Sequence, residues 1–175
     1  MLKVKVKYHD KNMPRLEKIT KGNWIDLRAI EGGTVTSGKD GIKRRAKWRE
    51  KIKNIDGEEI KVKSLKYKKG DILMLNLGVT IVLPEGHELL ILPRSSTAKN
   101  YGLVQLNSMG VGDTSFRGNK DVYHMPCMAI RDGEIELYNR VCQFRIIESM
   151  PEVEIEEVTD TGYDNRGGFG STGTV

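Results

Sequence analysis

From Asp71 to Ile147 the apolar residues fall on alternate positions or in short runs, and Gly, Pro or Asn interrupts them every few residues. A period of 2 sends side chains to opposite faces of a strand, so a chain written this way buries sheet faces, not helix stripes. Ile72, Leu73, Leu75, Leu77, Val79, Ile81 and Leu83 read as one strong strand over 71–84. Leu89–Leu92 follows the Pro84-Glu85-Gly86 turn, and further short strands are expected at 103–106, 122–130, 136–147 and 153–158. The one stretch suited to a helix is a turn or two at 96–101, with Ser95 or Ser96 as its N-cap. Many short strands separated by turn residues predict an all-β barrel or jelly roll with almost no helix.

The ends of the chain fit that frame. Leu2 to Tyr8 alternates Val with Lys, as an edge strand with a lysine-covered outer face does. It is not an apolar block, so no signal peptide is expected. Trp24–Ala29 is the next candidate strand, and Asp26 within it is flanked by apolar residues. The tail from Thr159 is rich in glycine and lacks strand patterning, so 1–158 is expected to form the body and 159–175 a flexible arm. At 175 residues one domain is the natural expectation. No apolar run approaches the roughly 20 residues of a membrane helix. Cys127 and Cys142 lie in apolar, strand-like surroundings outside any C-x-x-C pair, which predicts buried reduced thiols and a cytoplasmic location.

Residues 37–66 stand apart as an inserted charged hairpin. Lys39 to Lys53 hold eight basic residues against Asp40 and Glu50, and Asp56-Gly57 is a hairpin turn signal. Two readings are open. The hairpin is a solvated projection, or it is a patch for nucleic acid or a protein partner, with Trp48 stacking on a base. A formal charge of +5 suits a polyanionic ligand of either kind, nucleic acid or nucleotide.

The chemistry is expected between Pro93 and Gly118. Arg94, Ser95 and Ser96 offer an anion a guanidinium fork, two hydroxyls and backbone N–H groups. Gly110-Val111-Gly112-Asp113 puts a carboxylate on a turn whose glycines admit a planar ligand, and Phe116 could lay a ring against a sugar or base.

This stretch resembles the trimeric dUTPase family. Pro93-Arg94-Ser95-Ser96 is similar to the family's second motif, and Gly110 to Gly118 to its third, G-x-I-D-x-x-Y-x-G. Arg166 to Gly173, R-G-G-F-G-S-T-G, is similar to its fifth. Asp26-Leu27 is what remains of the first, and Arg140-Val141-Cys142-Gln143 fits the fourth, R-x-x-Q. The resemblance implies a distorted jelly-roll β-barrel, a homotrimer with three-chain sites, and hydrolysis of dUTP to dUMP and pyrophosphate.

It also implies roles. Asp113 is the general base that prepares a water for the α-phosphorus. Arg94, Ser95, Ser96 and Gln143 hold phosphates, Asn107 and Gly110 lie at the uracil, and Phe116 packs under the deoxyribose. Arg166, Phe169, Gly170, Ser171 and Thr172 form a closing lid. Mg2+ rides on the triphosphate, with Asp26 and Gln143 reaching its waters. Arg94 could also pair with an acid such as Asp113.

Two departures stand out. Phe116 replaces the usual tyrosine and loses its phenol, and Gly112 replaces the usual Ile or Leu, which predicts a looser hairpin. Two alternatives are a dCTP deaminase, which needs an arginine where Lys99 stands, and a non-catalytic regulatory or nucleic-acid-binding protein.

Overall fold

The computed structural model describes residues 1–168, which form fourteen strands and one short helix. All ladders are antiparallel, as expected of a jelly roll. One joins β10 (Leu103–Gln105), β12 (His124–Ala129), β7 (Ile72–Asn76), β3 (Thr34–Thr36) and β4 (Lys43–Arg45) in that spatial order. A second joins β11 (Gly110–Gly112), β9 (His87–Pro93), β14 (Arg140–Glu148) and β2 (Ile25–Arg28). The edge strand β1 (Lys5–Tyr8) pairs with β8 (Val79–Val82), and β13 (Gly133–Glu136), β6 (Glu58–Tyr67) and β5 (Trp48–Ile55) complete the set.

Between these layers lies one core. Leu27, Leu73, Leu75, Leu77, Val79, Ile81, Leu89, Leu103, Met125 and Ile135 are essentially inaccessible, as the alternation requires. Cys127 and Cys142 are free, buried thiols. Among the described residues no helix is long and apolar enough to cross a membrane.

The long strand expected over 71–84 is two strands in different sheets. The break falls at Leu77-Gly78, where Gly78 takes φ 69°. A Cβ there would lie 2.9 Å from Ile30 Cδ1 and 3.0 Å from Met13 Sδ. Only glycine permits both the left-handed turn and the close approach. Asn76 Oδ1 accepts the Gly78 N–H at 2.9 Å and closes the corner. The stretch 136–147 divides likewise, into β13 and β14, at Tyr138 (φ 65°).

A third difference lies at 153–158, which forms no strand. Met150, Val153, Ile155 and Val158 are exposed along an extended segment. Alternating apolar residues make a strand only where a partner edge exists, and the single chain offers this segment none.

The hairpin at 48–67 turns at Asp56 (φ 52°) and Gly57 (φ 88°), as Asp-Gly predicts. Its outer half is solvated. Its inner half is not an appendage: Leu65 and Tyr67 are buried in the core, and β6 pairs with β13 through Tyr67↔Gly133 and Leu65↔Ile135.

Candidate active site

Strand β9 is the axis of the site. Its C-terminal end delivers Arg94, and helix α1 (Thr97–Tyr101) begins directly after. Ser96 is the N-cap residue as expected, but its hydroxyl makes no capping bond. Thr97 ties the corner instead. Its buried hydroxyl accepts the Arg94 N–H at 3.0 Å and donates to the Val141 carbonyl at 2.8 Å. Ser95 and Ser96 therefore keep their hydroxyls for another partner.

The acid beside Arg94 is Asp26, not Asp113. Arg94 Nε lies 2.7 Å from Asp26 Oδ1, and Arg140 Nη1 lies 3.1 Å from Oδ2. The register explains the meeting: β14 sets Gln143 opposite Asp26 on one side and opposite Leu92 on the other. Arg28 adds a third guanidinium, whose pKa is pushed down first by desolvation and then by Arg140, with Arg94 adding to it. One carboxylate among three arginines leaves a net positive cradle suited to phosphates. Arg28 is the member sequence reasoning missed; its place opposite Arg140 in the β2–β14 ladder is not written in any motif. Gln143 donates to the Pro93 carbonyl at 3.3 Å and is half-buried.

The hairpin lies at the other end of β9. Strand β11 pairs Gly110 with Ile91 and Gly112 with Leu89. Asn107 is exposed in the turn before it, beside Gly110. Asp113 is exposed just beyond, its Oδ1 accepting the Ser115 N–H at 2.8 Å and the Ser115 hydroxyl. The hydroxyl bond first, then the Ser115 and Phe116 N–H groups, hold its pKa below the ordinary carboxylate value.

Gly112 does not loosen the hairpin. It is buried, and a Cβ on it would press on the Tyr123 hydroxyl and lie 2.8 and 2.9 Å from ring atoms Cε1 and Cζ. Tyr123 fills the space that an Ile or Leu side chain would take. Its ring meets Phe116 edge-on, with centroids 5.0 Å apart at 64°. Phe116, 37% exposed, thus presents a ring backed by a second ring. The Tyr123 hydroxyl is buried with no hydrogen-bond partner among the described residues. Burial, then Asp113 and Asp121, push its pKa up to about 12. Tyr123 was not legible as a site neighbour, since only the missing volume at Gly112 calls for it.

Four steps of β9 separate the hairpin's anchor at Leu89 from Pro93, the residue before Arg94, roughly 14 Å along the strand. Gly110, opposite Ile91, stands three residues from Arg94, while Asp113 and Phe116 continue beyond Leu89, away from the cradle. Arg166 lies exposed in the irregular C-terminal segment, while Phe169, Gly170, Ser171 and Thr172 fall outside the described residues. Among the described residues no three His, Cys, Asp or Glu side chains gather as a metal cage. Asp26 already has each oxygen on a guanidinium, so this donor set fits an ion carried by substrate phosphates and not a protein-held one.

A dUTPase family model matches residues 60–173. The SPbeta prophage-derived deoxyuridine 5'-triphosphate nucleotidohydrolase YosS of Bacillus subtilis is 39% identical over 173 residues, spanning 99% of both chains. In fold, the chain is similar to the dUTPase of phage phi11 of S. aureus, described with a structural Mg(II) ion (TM-score 0.63, 12% identity, 92% of this chain and 99% of that one). It is similar also to a Staphylococcus bacteriophage 80alpha dUTPase variant with dUpNHpp (TM-score 0.62, 16% identity, 98% of each chain). The extent of the family match and of the B. subtilis likeness establishes that this chain belongs to the dUTPase family.

Proposed function

We propose that the protein hydrolyses dUTP to dUMP and pyrophosphate, with Asp113 as general base. Its carboxylate orients a water and takes its proton as the oxygen attacks the α-phosphorus; pyrophosphate leaves with the electron pair of the α–β bridge. Arg94, Ser95 and Ser96 stabilise the charge that develops on the bridge and outer oxygens, with Arg140 beside them. Asn107 and the backbone at Gly110 read the uracil edge. Phe116 lies under the deoxyribose and leaves no room for a 2′ hydroxyl. Arg166, Phe169, Gly170, Ser171 and Thr172 close over the outer phosphates and base. Gln143 and Asp26 would face the waters of an Mg2+ carried by the substrate phosphates, which when bound would supply charge neutralisation.

The observation that carries this reading is the pair of half-sites at opposite ends of β9. An acid-and-ring hairpin and an arginine–serine cradle are both present, and their separation along the strand supports a site completed between chains. The assembly we propose is a homotrimer. Its support includes an apolar row on the outer sheet face, where Val104, Met128 and Ile72 stand opposite one another across β10, β12 and β7, all exposed. The exposed apolar residues of 150–158 give the arm a surface for a neighbour. Buried thiols suit a reducing, cytoplasmic setting. The family membership favours dUTP over dCTP, and Lys99 sits exposed on α1.

Pyrophosphate release tests the mechanism. Asp113→Asn is expected to lower kcat by at least 100-fold, in line with the loss of a positioned base, while dUMP still binds. Because the pKa of Asp113 is lowered, chiefly by the Ser115 hydroxyl, its base form persists as pH falls, and the wild-type acid limb set by this group lies below the ordinary carboxylate range. An active Asp113→Asn enzyme, or ammonia released from dCTP, would refute the assignment.

A further inference from the structure

The chain from Lys43 to Ile55 runs as one extended rail from β4 into β5, braced where the Ala46 N–H donates to the Gly33 carbonyl at 3.1 Å. Trp48 fixes which way it faces. Its indole N–H donates to the Gly32 carbonyl at 3.2 Å, and its ring packs on the core. Alternation then turns Lys47, Arg49 and Lys51 outward, on the face where Lys66 of β6 also stands. The role of Trp48 as a freely presented base-stacking ring is therefore corrected: it is half-buried against the core with its N–H engaged.

Two adjoining cavities of about 390 and 420 Å3 share Lys47 and Lys66 and make one open trough along this rail. Two acids, Glu50 and Asp71, line the trough without an ion pair among the described residues, and they stand against six free cations. Asp71 accepts the Gly38 and Lys68 N–H groups. The other acids nearby are already paired. Asp40 pairs with Arg44, Asp132 with Lys68, Glu134 with Lys51, and Glu136 with Lys51 and Lys53. Lys39, Arg45, Lys47, Arg49, Lys66 and Lys69 make no ion pair within the described residues, yet all six line the trough. None of them belongs to the proposed dUTP site.

We propose that this trough binds the phosphate backbone of duplex nucleic acid without reading its sequence. Cations at alternate positions of a strand stand about 6.8 Å apart, and those from Arg45 to Arg49 span far more than one triphosphate's charge needs once Lys39 and Lys69 extend the line. The partner must therefore carry repeated negative charge. Trp48 lines neither cavity of the trough and no other aromatic ring does, so a splayed base finds no ring there and a single strand gains no stacking. A duplex, with one charge per roughly 1.7 Å of axis, matches the trough better.

The test is fluorescence anisotropy of a labelled DNA duplex of mixed sequence with the full-length protein, titrated between about 50 and 200 mM salt. Six backbone contacts predict a log–log salt slope of about −5. The Arg45→Ala/Lys47→Ala/Arg49→Ala variant is expected to lose about three units of that slope and at least tenfold in affinity, with dUTP hydrolysis unchanged. The inference fails if the wild type leaves the duplex free at the lowest salt, if the triple variant binds equally, or if single strands or an acidic protein bind in preference. Those failures leave the dUTP reading standing, because hydrolysis is measured on the same samples.

Discussion

Asp113, Gly112 and Tyr123 form a unit at the residue scale. The acid faces outward from the hairpin; its neighbour has no side chain because a tyrosine from the next loop fills that space. The phenol missing at Phe116 is not replaced at the sugar face, since the Tyr123 hydroxyl lies beneath the hairpin. Gly112→Ala forces a methyl against a rigid ring, and overpacking of this kind costs about 1–3 kcal/mol. It is expected to lower both stability and kcat. Adding Tyr123→Leu makes room and recovers part of each, giving a coupling of about 0.5–3 kcal/mol in a double-mutant cycle read by denaturation and dUTP turnover. Purely additive losses would show that the two positions do not share the space.

At the scale of elements, β9, α1 and β14 meet at Thr97, whose buried hydroxyl bonds both the Arg94 amide and the Val141 carbonyl. Thr97→Val keeps the shape and strands two polar groups, so a loss of about 1–3 kcal/mol is expected in chemical denaturation. A raised KM for dUTP should accompany it, because Arg94 loses its brace. Much of this level was legible beforehand. Period-2 alternation located most strands, Asp56-Gly57 located the hairpin turn, and the short helix fell within a residue of its place. The splits at Gly78 and Tyr138 were not legible, because alternation continues across both and only the three-dimensional crowding at Ile30 and Met13 explains the first. The triad of arginines around Asp26 was hidden for a similar reason. Arg140 Nη1 and Asp26 Oδ2 meet across 114 residues of chain, and register alone brings them there.

For the molecule as a whole, each chain offers an acid towards one end of β9, a cationic cradle at the other and a C-terminal segment that, among the described residues, joins no sheet. Motif order along the sequence makes such a site look contiguous; the fold pulls it apart. The proposed trimer would use the outer face of β10, β12 and β7, where Val104, Met128 and Ile72 are exposed.

That separation carries a genetic consequence. Mix equal amounts of two inactive proteins, Asp113→Asn and Arg94→Ala, unfold them and let them reassemble together. Random combination of threes leaves about a quarter of pockets with an undamaged member at both positions, so activity should reappear from two dead parents. Silence in the reassembled mixture, with trimers verified by mass, would mean that every pocket is the property of one chain.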